Sequence, residues 1–126
     1  MQKFLQSTIL ILTTLFICAP VAIAQSSGTS THTAPGDKAT LEVDVGTGNA
    51  ADANEIDITT PVGTNTLSRY VGTGTVPPGS YRITGQGTGS REIEFGTAPP
   101  ADATVEIKWE WPSGSPPPSV SDGNWS

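Results

Sequence analysis

The sequence predicts an all-β protein, a small antiparallel β-sandwich or partly open barrel of about six strands with disordered N- and C-terminal segments. Three observations lead to this fold class. Apolar residues recur with period two between residues 39 and 111, which indicates strands with one buried and one solvent-facing side. Clusters of glycine and proline separate these runs and favour short turns. Both ends of the chain are poor in residues that a core could bury.

Residues 1–24 have the pattern of a secretory signal peptide. Lys3 precedes an apolar run from Thr8 to Ala19, and Ala22-Ile23-Ala24 supplies the small residues that a signal peptidase needs. The run is shorter than a transmembrane helix, which needs about 20 apolar residues. We therefore expect cleavage and a secreted protein, extracellular or periplasmic, with no stable membrane span afterwards. Retention of the segment as a membrane anchor is the alternative.

The cysteine content and the net charge limit which crosslinks and which partners the remaining chain could have. Cleavage would remove Cys18, the single cysteine, so no disulfide could crosslink what is left. Five cations and twelve acidic residues follow residue 24, which gives a net charge of −7. Because such a chain repels phosphate backbones, nucleic acid is not expected as a partner.

The remaining chain divides into three parts. Residues 25–38 are predicted to be a flexible leader, residues 39–111 the β-sandwich domain, and residues 112–126 a Pro/Ser/Gly-rich tail. The leader and the tail have too few apolar residues to offset the entropy lost on ordering. Trp125 is the exception in the tail, either an unburied ring or a small docking anchor. A domain of this size without a crosslink is marginal, so a homo-oligomer or edge pairing is possible.

Six segments alternate between apolar and polar residues and are predicted to be the strands of the domain. A helical turn is conceivable only over residues 49–55. The residues that point inward are, in chain order, Leu41, Val43 and Val45; Ile56 and Ile58; an ambiguous set within Leu67–Val71; Tyr81 and Ile83; Ile93 and Phe95; and Val105, Ile107, Trp109 and Trp111.

Catalytic motifs have weak support, so the chain is predicted not to be an enzyme. Residues 46–51 fit the dinucleotide pattern Gly-x-Gly-x-x-Ala, but no helix and no acidic partner follow them. The single histidine, His32, falls in the predicted leader, where nothing would orient it as a base.

A pair of carboxylates is the other catalytic possibility. Glu92 and Glu94 share a strand face, and this strand could pair with the strand that bears Glu106 and Glu110. Two carboxyl groups at suitable spacing cleave glycosidic bonds. Cross-strand ion pairs with Arg82, Arg91 and Lys108 on a solvated face are the simpler interpretation.

Two binding hypotheses rest on particular residues. Trp109 and Trp111 are expected to pack in the core, but an exposed aromatic strip at these positions could stack on sugar rings. Asp44, Asp52 and Asp57, with Asn49 and Asn54, offer oxygen ligands that suit calcium. Turn residues that happen to be acidic explain the aspartates equally well, and no other cofactor is expected.

Residues 93–109, preceded by Tyr81-Arg82-Ile83-Thr84-Gly85, resemble hairpins in β-sandwich modules of phage tail-fibre and bacterial surface proteins. The shared feature is a strand, a proline-containing turn and a second strand. This resemblance implies a spacer or adhesive module without catalysis, and it assigns no functional residue.

The sequence therefore favours a secreted or periplasmic non-enzymatic β-protein that acts through its surface as an envelope, matrix or adhesion-type component. Its partner would be a protein or a cell-surface polysaccharide. The alternatives are a carbohydrate-binding module that uses the aromatic strip and a self-assembling subunit of a surface filament.

Overall fold

The computed structural model describes residues 26–46, 51–85, 89–111 and 120–126. The predicted signal peptide, with Cys18, lies outside the described residues, as do Asn49 and residues 112–119. The strands within the described ranges are β1 Ser26–Thr33, β2 Thr40–Asp44, β3 Asp52–Thr60, β4 Gly63–Thr66, β5 Ser68–Arg69, β6 Ser80–Thr84, β7 Ser90–Phe95, β8 Thr104–Trp111 and β9 Asn124–Trp125.

The strands form two sheets, so the predicted all-β sandwich is confirmed. The first sheet has the order β1-β8-β3-β4, and the second has the order β5-β6-β7-β2-β9. All pairings are antiparallel except β5 with β6, which run parallel. The described strands do not close into a barrel, because each sheet ends in two edge strands.

The core lies between the sheets and consists of the alternating residues that the sequence indicated. Leu41, Ile56, Ile93 and Ile107 are 0% exposed, and together with their strand neighbours they form one continuous cluster. Period-two burial continues through the last long strand, where Val105, Ile107, Trp109 and Trp111 all point inward. Apolar burial of this kind is the main favourable term in folding.

The predicted flexible leader is wrong for Ser26–Thr33, which form β1. This strand pairs with β8 over its whole length, from Ser26 opposite Trp111 to Thr33 opposite Thr104. Its first three inward residues, Ser26, Gly28 and Ser30, are small and leave room for bulky rings: a Cβ added to Gly28 would lie 3.1 Å from Cζ3 of Trp111. The sequence pattern did not show this strand because alternation among serine, threonine and glycine produces no apolar period.

Three other local predictions need correction. The tail is ordered at Val120–Ser126, where Asn124–Trp125 form β9 against β2. The ambiguous strand over Leu67–Val71 contracts to β5, two residues long. Residues 52–55 belong to β3 and not to a helical turn, with a register shift between Ala53 and Glu55 against β8.

Candidate functional site

The two tryptophans of the predicted aromatic strip are buried. Trp109 is 1% exposed and Trp111 is 2% exposed. The indole Nε1 of Trp109 donates to Ser30 Oγ at 2.7 Å, whereas Nε1 of Trp111 has no acceptor among the described residues. Stacking on a sugar requires an accessible ring face, so these residues do not provide a carbohydrate-binding strip. Their expected packing in the core is confirmed.

The three aspartates of the calcium hypothesis lie apart and have separate partners. Asp44 is on β2 of the second sheet, where its Oδ1 accepts from Gly46 N at 2.8 Å. Asp52 and Asp57 are on β3 of the first sheet. The ion pair of Asp52 joins its Oδ2 to Arg69 at 2.8 Å, and Asp57 Oδ1 accepts from Thr66 Oγ1 at 2.5 Å. Within the ranges that the structure describes, no three His, Cys, Asp or Glu side chains are grouped to hold a metal ion.

His32 does not lie in a flexible segment but on β1, where it is 4% exposed. Its Nδ1 is 2.8 Å from the carbonyl oxygen of Asp122, and its Nε2 is 2.8 Å from Ser30 Oγ. The carbonyl is an acceptor only, so Nδ1 donates to it, while Nε2 is hydrogen-bonded to the Ser30 hydroxyl. Ser30 also accepts from Trp109, which completes a chain of bonds from the core to the C-terminal segment.

Ser30 and His32 have the distance of a nucleophile and its base, but their surroundings are those of a structural pair. The Ser30 oxygen already accepts the N–H of Trp109. Neither of the two cavities described below is lined by either residue. A hydrolytic site also needs donors for an oxyanion next to a substrate cavity, and the geometry at Ser30 therefore supports a role in anchoring the ring of Trp109.

The paired-carboxylate hypothesis assumed the wrong strand neighbours. Glu92 and Glu94 are on β7 in the second sheet, while Glu106 and Glu110 are on β8 in the first. The carboxylate that lies directly opposite Glu92 is Glu42 on β2. Both residues are exposed on the outer side of the sheet, away from the enclosed setting in which enzymes tune an acid.

The outer side of the first sheet is the most regular polar surface in the described part of the chain. We name it the hydroxyl face. One row crosses all four strands, with Thr33 opposite Thr104, Thr104 opposite Thr59, and Thr59 opposite Thr64. Thr59 Oγ1 and Thr64 Oγ1 are 2.9 Å apart. The exposed hydroxyl residues of this face are Ser27, Thr29, Thr31, Thr33, Thr59, Thr64, Thr66 and Thr104.

Charged residues begin in the row next to the threonine row, where Glu106 lies between Thr31 and Asp57, and they continue toward the other end of the sheet. Lys108 Nζ lies 2.8 Å from Glu55 Oε1, and this hydrogen bond raises the pKa of Lys108. An open depression of about 530 Å³ surrounds the pair and is lined by Ser27, Gly28, Thr29, Asn54, Glu55, Lys108 and Trp109. The face thus combines a neutral row of hydroxyls, a neighbouring row with two carboxylates and, beyond it, a depression that contains both signs of charge.

A second cavity, of about 350 Å³, opens at one end of the sandwich. Ile58, Leu67 and Phe95 form part of its apolar wall, and Asn65 and Ser80 are among its polar groups. The proline-containing turn between β7 and β8 closes one side through residues 97–100. Its volume is at the lower limit for small-molecule sites, and its lining includes no ionisable side chain.

Comparisons of the chain with protein-family models, with curated proteins and with solved structures give no match. Among the described residues, no helix has the length and apolar character required to span a membrane.

Sequence reasoning missed the hydroxyl face and the pairing of the C-terminal segment with β2 as strand β9. The first could have been found from the threonine content of β1, since threonine favours strands. The interpretation of Trp125 as a small docking anchor is confirmed, because its ring stacks on Phe95 with centroids 5.7 Å apart.

Proposed function

We propose that this protein is a secreted or periplasmic, non-enzymatic β-sandwich that acts through its surface as an envelope, matrix or adhesion-type component. The observation that supports this role is the hydroxyl face, with its row of four exposed threonines across four strands. The signal-like pattern of residues 1–24 supports export.

A cell-surface polysaccharide is the partner that this face suits best. Neighbouring strands lie about 4.8 Å apart, so the row offers hydroxyl donors and acceptors at regular intervals along a flat surface. Each hydrogen bond contributes only about 0.5–1.5 kcal/mol net. A repetitive polymer that contacts several rows at once would bind through the sum of such contacts, as expected for adhesion without a deep pocket.

The test is retention of the exported protein on the cell envelope or matrix after washing. Thr104→Arg places a bulky charge in the middle of the threonine row, on the central strand β8. Thr84→Arg is the control, because Thr84 is exposed on the outer side of the second sheet. Loss of two hydrogen bonds of about 0.7 kcal/mol each predicts about a tenfold drop in retention for Thr104→Arg. Equal retention of both variants, each shown by circular dichroism to be folded, would contradict the proposal.

A self-assembling subunit is the second candidate, and the composition of β1 favours it. β1 is an edge strand of eight residues, Ser-Ser-Gly-Thr-Ser-Thr-His-Thr, without lysine, acidic residues or proline. Proteins usually protect such edges with charge or proline, because edge strands pair with further chains. Assembly through β1 predicts that sedimentation of the parent protein depends on concentration. Thr31→Lys should abolish this dependence, and the control Thr104→Lys should keep it. A chain that remains monomeric at high concentration would exclude it.

A further inference from the structure

The residues Val120–Ser126, which we name the tail segment, occupy a groove beside β2. The groove, which we name the acceptor groove, is formed by His32, Thr40–Asp44 and Phe95. β9 of the tail segment extends the second sheet, with Trp125 opposite Leu41 and Asn124 opposite Glu42. Without the tail segment β2 would be the edge strand of this sheet. The groove is thus a site at which an extended peptide adds a strand.

Backbone hydrogen bonds hold both ends of the tail segment. Thr40 N donates to Ser126 O at 3.0 Å, and Ser126 N donates to Thr40 O at 2.9 Å. At the other end, Ser121 N donates to Asp44 O at 3.0 Å, and Asp44 N donates to Ser121 Oγ at 2.9 Å. These bonds fix the direction and the register of the peptide.

Side chains make the groove selective for this particular sequence. The ring of Trp125 stacks on Phe95, and His32 donates to the carbonyl oxygen of Asp122. Gly123 has φ +84°, and a Cβ there would lie 2.8 Å from Glu42 O, Leu41 Cδ1 and Val43 Cγ1. A peptide that fits must therefore have glycine at this position and an aromatic residue two positions later.

We propose that the acceptor groove also takes the tail segment of a second copy of this chain, so that copies join tail to groove. The occupant is defined by the structure itself, because the same seven residues fill the groove within one chain. Exchange between copies replaces each contact by its equivalent and creates no new strain within the segment. Reciprocal exchange between two copies gives a closed dimer, and head-to-tail exchange gives larger rings or open filaments.

The tail segment of a second copy competes with the chain's own tail segment for the acceptor groove. Residues 112–119 tether the tail segment to its own chain, and a short tether gives an effective concentration of about the millimolar range. Exchange is therefore expected at high local concentration, as on a crowded cell surface, and not in dilute solution. This contact lies in the second sheet and is separate from assembly through the β1 edge of the first sheet.

The experiment uses cysteine pairs in full-length chains in which Cys18 is replaced by serine. Asp44 and Ser121 are bonded neighbours across the groove, so Asp44→Cys and Ser121→Cys in one chain should form an intramolecular disulfide under mild oxidation. Absence of this bond would overturn the proposal, because the groove would not hold the tail segment as described.

The decisive step mixes chains that have only Asp44→Cys with chains that have only Ser121→Cys. Disulfide-linked heterodimers should form at about 1 mM and fall at least tenfold in yield at about 10 μM. In the control mixture, Val62→Cys, at a position 97% exposed, replaces Asp44→Cys. This mixture should give no more dimer than random collisions produce. Adding Trp125→Ala to the Ser121→Cys chain should reduce the heterodimer severalfold.

Heterodimer yields equal to the Val62→Cys control at about 1 mM would overturn the inference. That outcome leaves the surface role intact, since retention on the envelope is measured with Thr104→Arg and does not depend on exchange. Conversely, loss of the retention effect with persistent heterodimers would contradict the surface role and keep the tail-to-groove contact.

Discussion

At the scale of single residues, Arg91 is a cation placed in the core. It is 0% exposed, and its guanidinium donates to the carbonyl oxygens of Ala51 and Ser90, both at 2.8 Å, and to that of Gly85. Burial lowers the pKa of Arg91, but an arginine keeps its charge in proteins. The expectation of a surface ion pair at Arg91 is wrong. The signal was present, since Arg91 alternates in phase with Ile93 and Phe95.

Replacing Arg91 with methionine should destabilise the fold by about 2–4 kcal/mol, because the buried carbonyl group of Ala51 would lose the guanidinium that donates to it. Urea denaturation measures the loss. Arg69→Met is the matched control: Arg69 is 33% exposed and pairs with Asp52 at the surface, so its removal should cost less than about 1 kcal/mol. Similar losses for the two variants would show that the Arg91 bonds contribute little.

Tyr81 makes stability depend on pH in the alkaline range. It is 1% exposed, and its hydroxyl donates to Ala53 O at 2.9 Å. Burial raises the pKa of Tyr81 above its ordinary value. The folded state therefore holds the phenol proton more tightly than the unfolded chain. The resulting stability is fully present below about pH 10 and is lost as the pH rises through the raised value.

Tyr81→Phe should cost about 1 kcal/mol at pH 7 through the lost hydrogen bond. The same variant should lose less stability than the parent protein between pH 9 and pH 11, since its ring has no proton to release. Urea denaturation at several pH values gives both quantities, and Tyr70→Phe serves as control because Tyr70 is only half-buried. If the parent protein and Tyr81→Phe lost equal stability between pH 9 and pH 11, the alkaline pH dependence could not be attributed to Tyr81.

At the scale of elements, the pairing of β2 with β7 places like charges together. Glu42 lies directly opposite Glu92, an arrangement that destabilises a sheet. Two residues away on the same side of β7, Glu94 Oε2 is 2.7 Å from Arg82 Nη2. The two glutamates of β7 thus have opposite electrostatic roles although the sequence makes them look equivalent.

Glu92→Lys should stabilise the protein by about 0.2–1 kcal/mol, because it turns a repulsive cross-strand pair into an attractive one. Glu94→Lys should destabilise the protein, because it breaks the pair with Arg82. Urea denaturation in low salt and in 1 M salt compares them, and both effects should shrink at high salt. A loss of stability in Glu92→Lys would show that the Glu42 carboxylate lies away from its strand partner.

At the scale of the whole molecule, the tail segment completes the second sheet and covers β2. Its Trp125 ring packs on the core through Phe95. The tail segment is thus part of the domain, although residues 112–126 were predicted to lie outside it. Aromatic stacking contributes about 0.5–1.5 kcal/mol beyond burial, enough to hold a short segment whose backbone bonds are satisfied.

Trp125→Ala should release the tail segment while the sandwich stays folded. Amide hydrogen exchange should speed up in β2 at Leu41–Asp44, since this strand becomes an edge. Exchange in β8 at the centre of the first sheet should change little. Asn124→Ala is the control, because Asn124 is exposed on the same strand. Unchanged protection of β2 in Trp125→Ala would show that the backbone bonds alone hold the segment.

The sequence by itself determined the fold class and the apolar core, because alternating side chains in strands such as β2 and β8 reveal which side is buried. It also singled out Trp125 as a possible anchor. Only the tertiary structure decided which strands are neighbours, and so separated Glu92 from Glu106 and placed Arg91, His32 and the tail segment against the core. The physical reason is that strand pairing and burial of polar groups depend on hydrogen bonds between distant parts of the chain, and these leave no local period in the sequence.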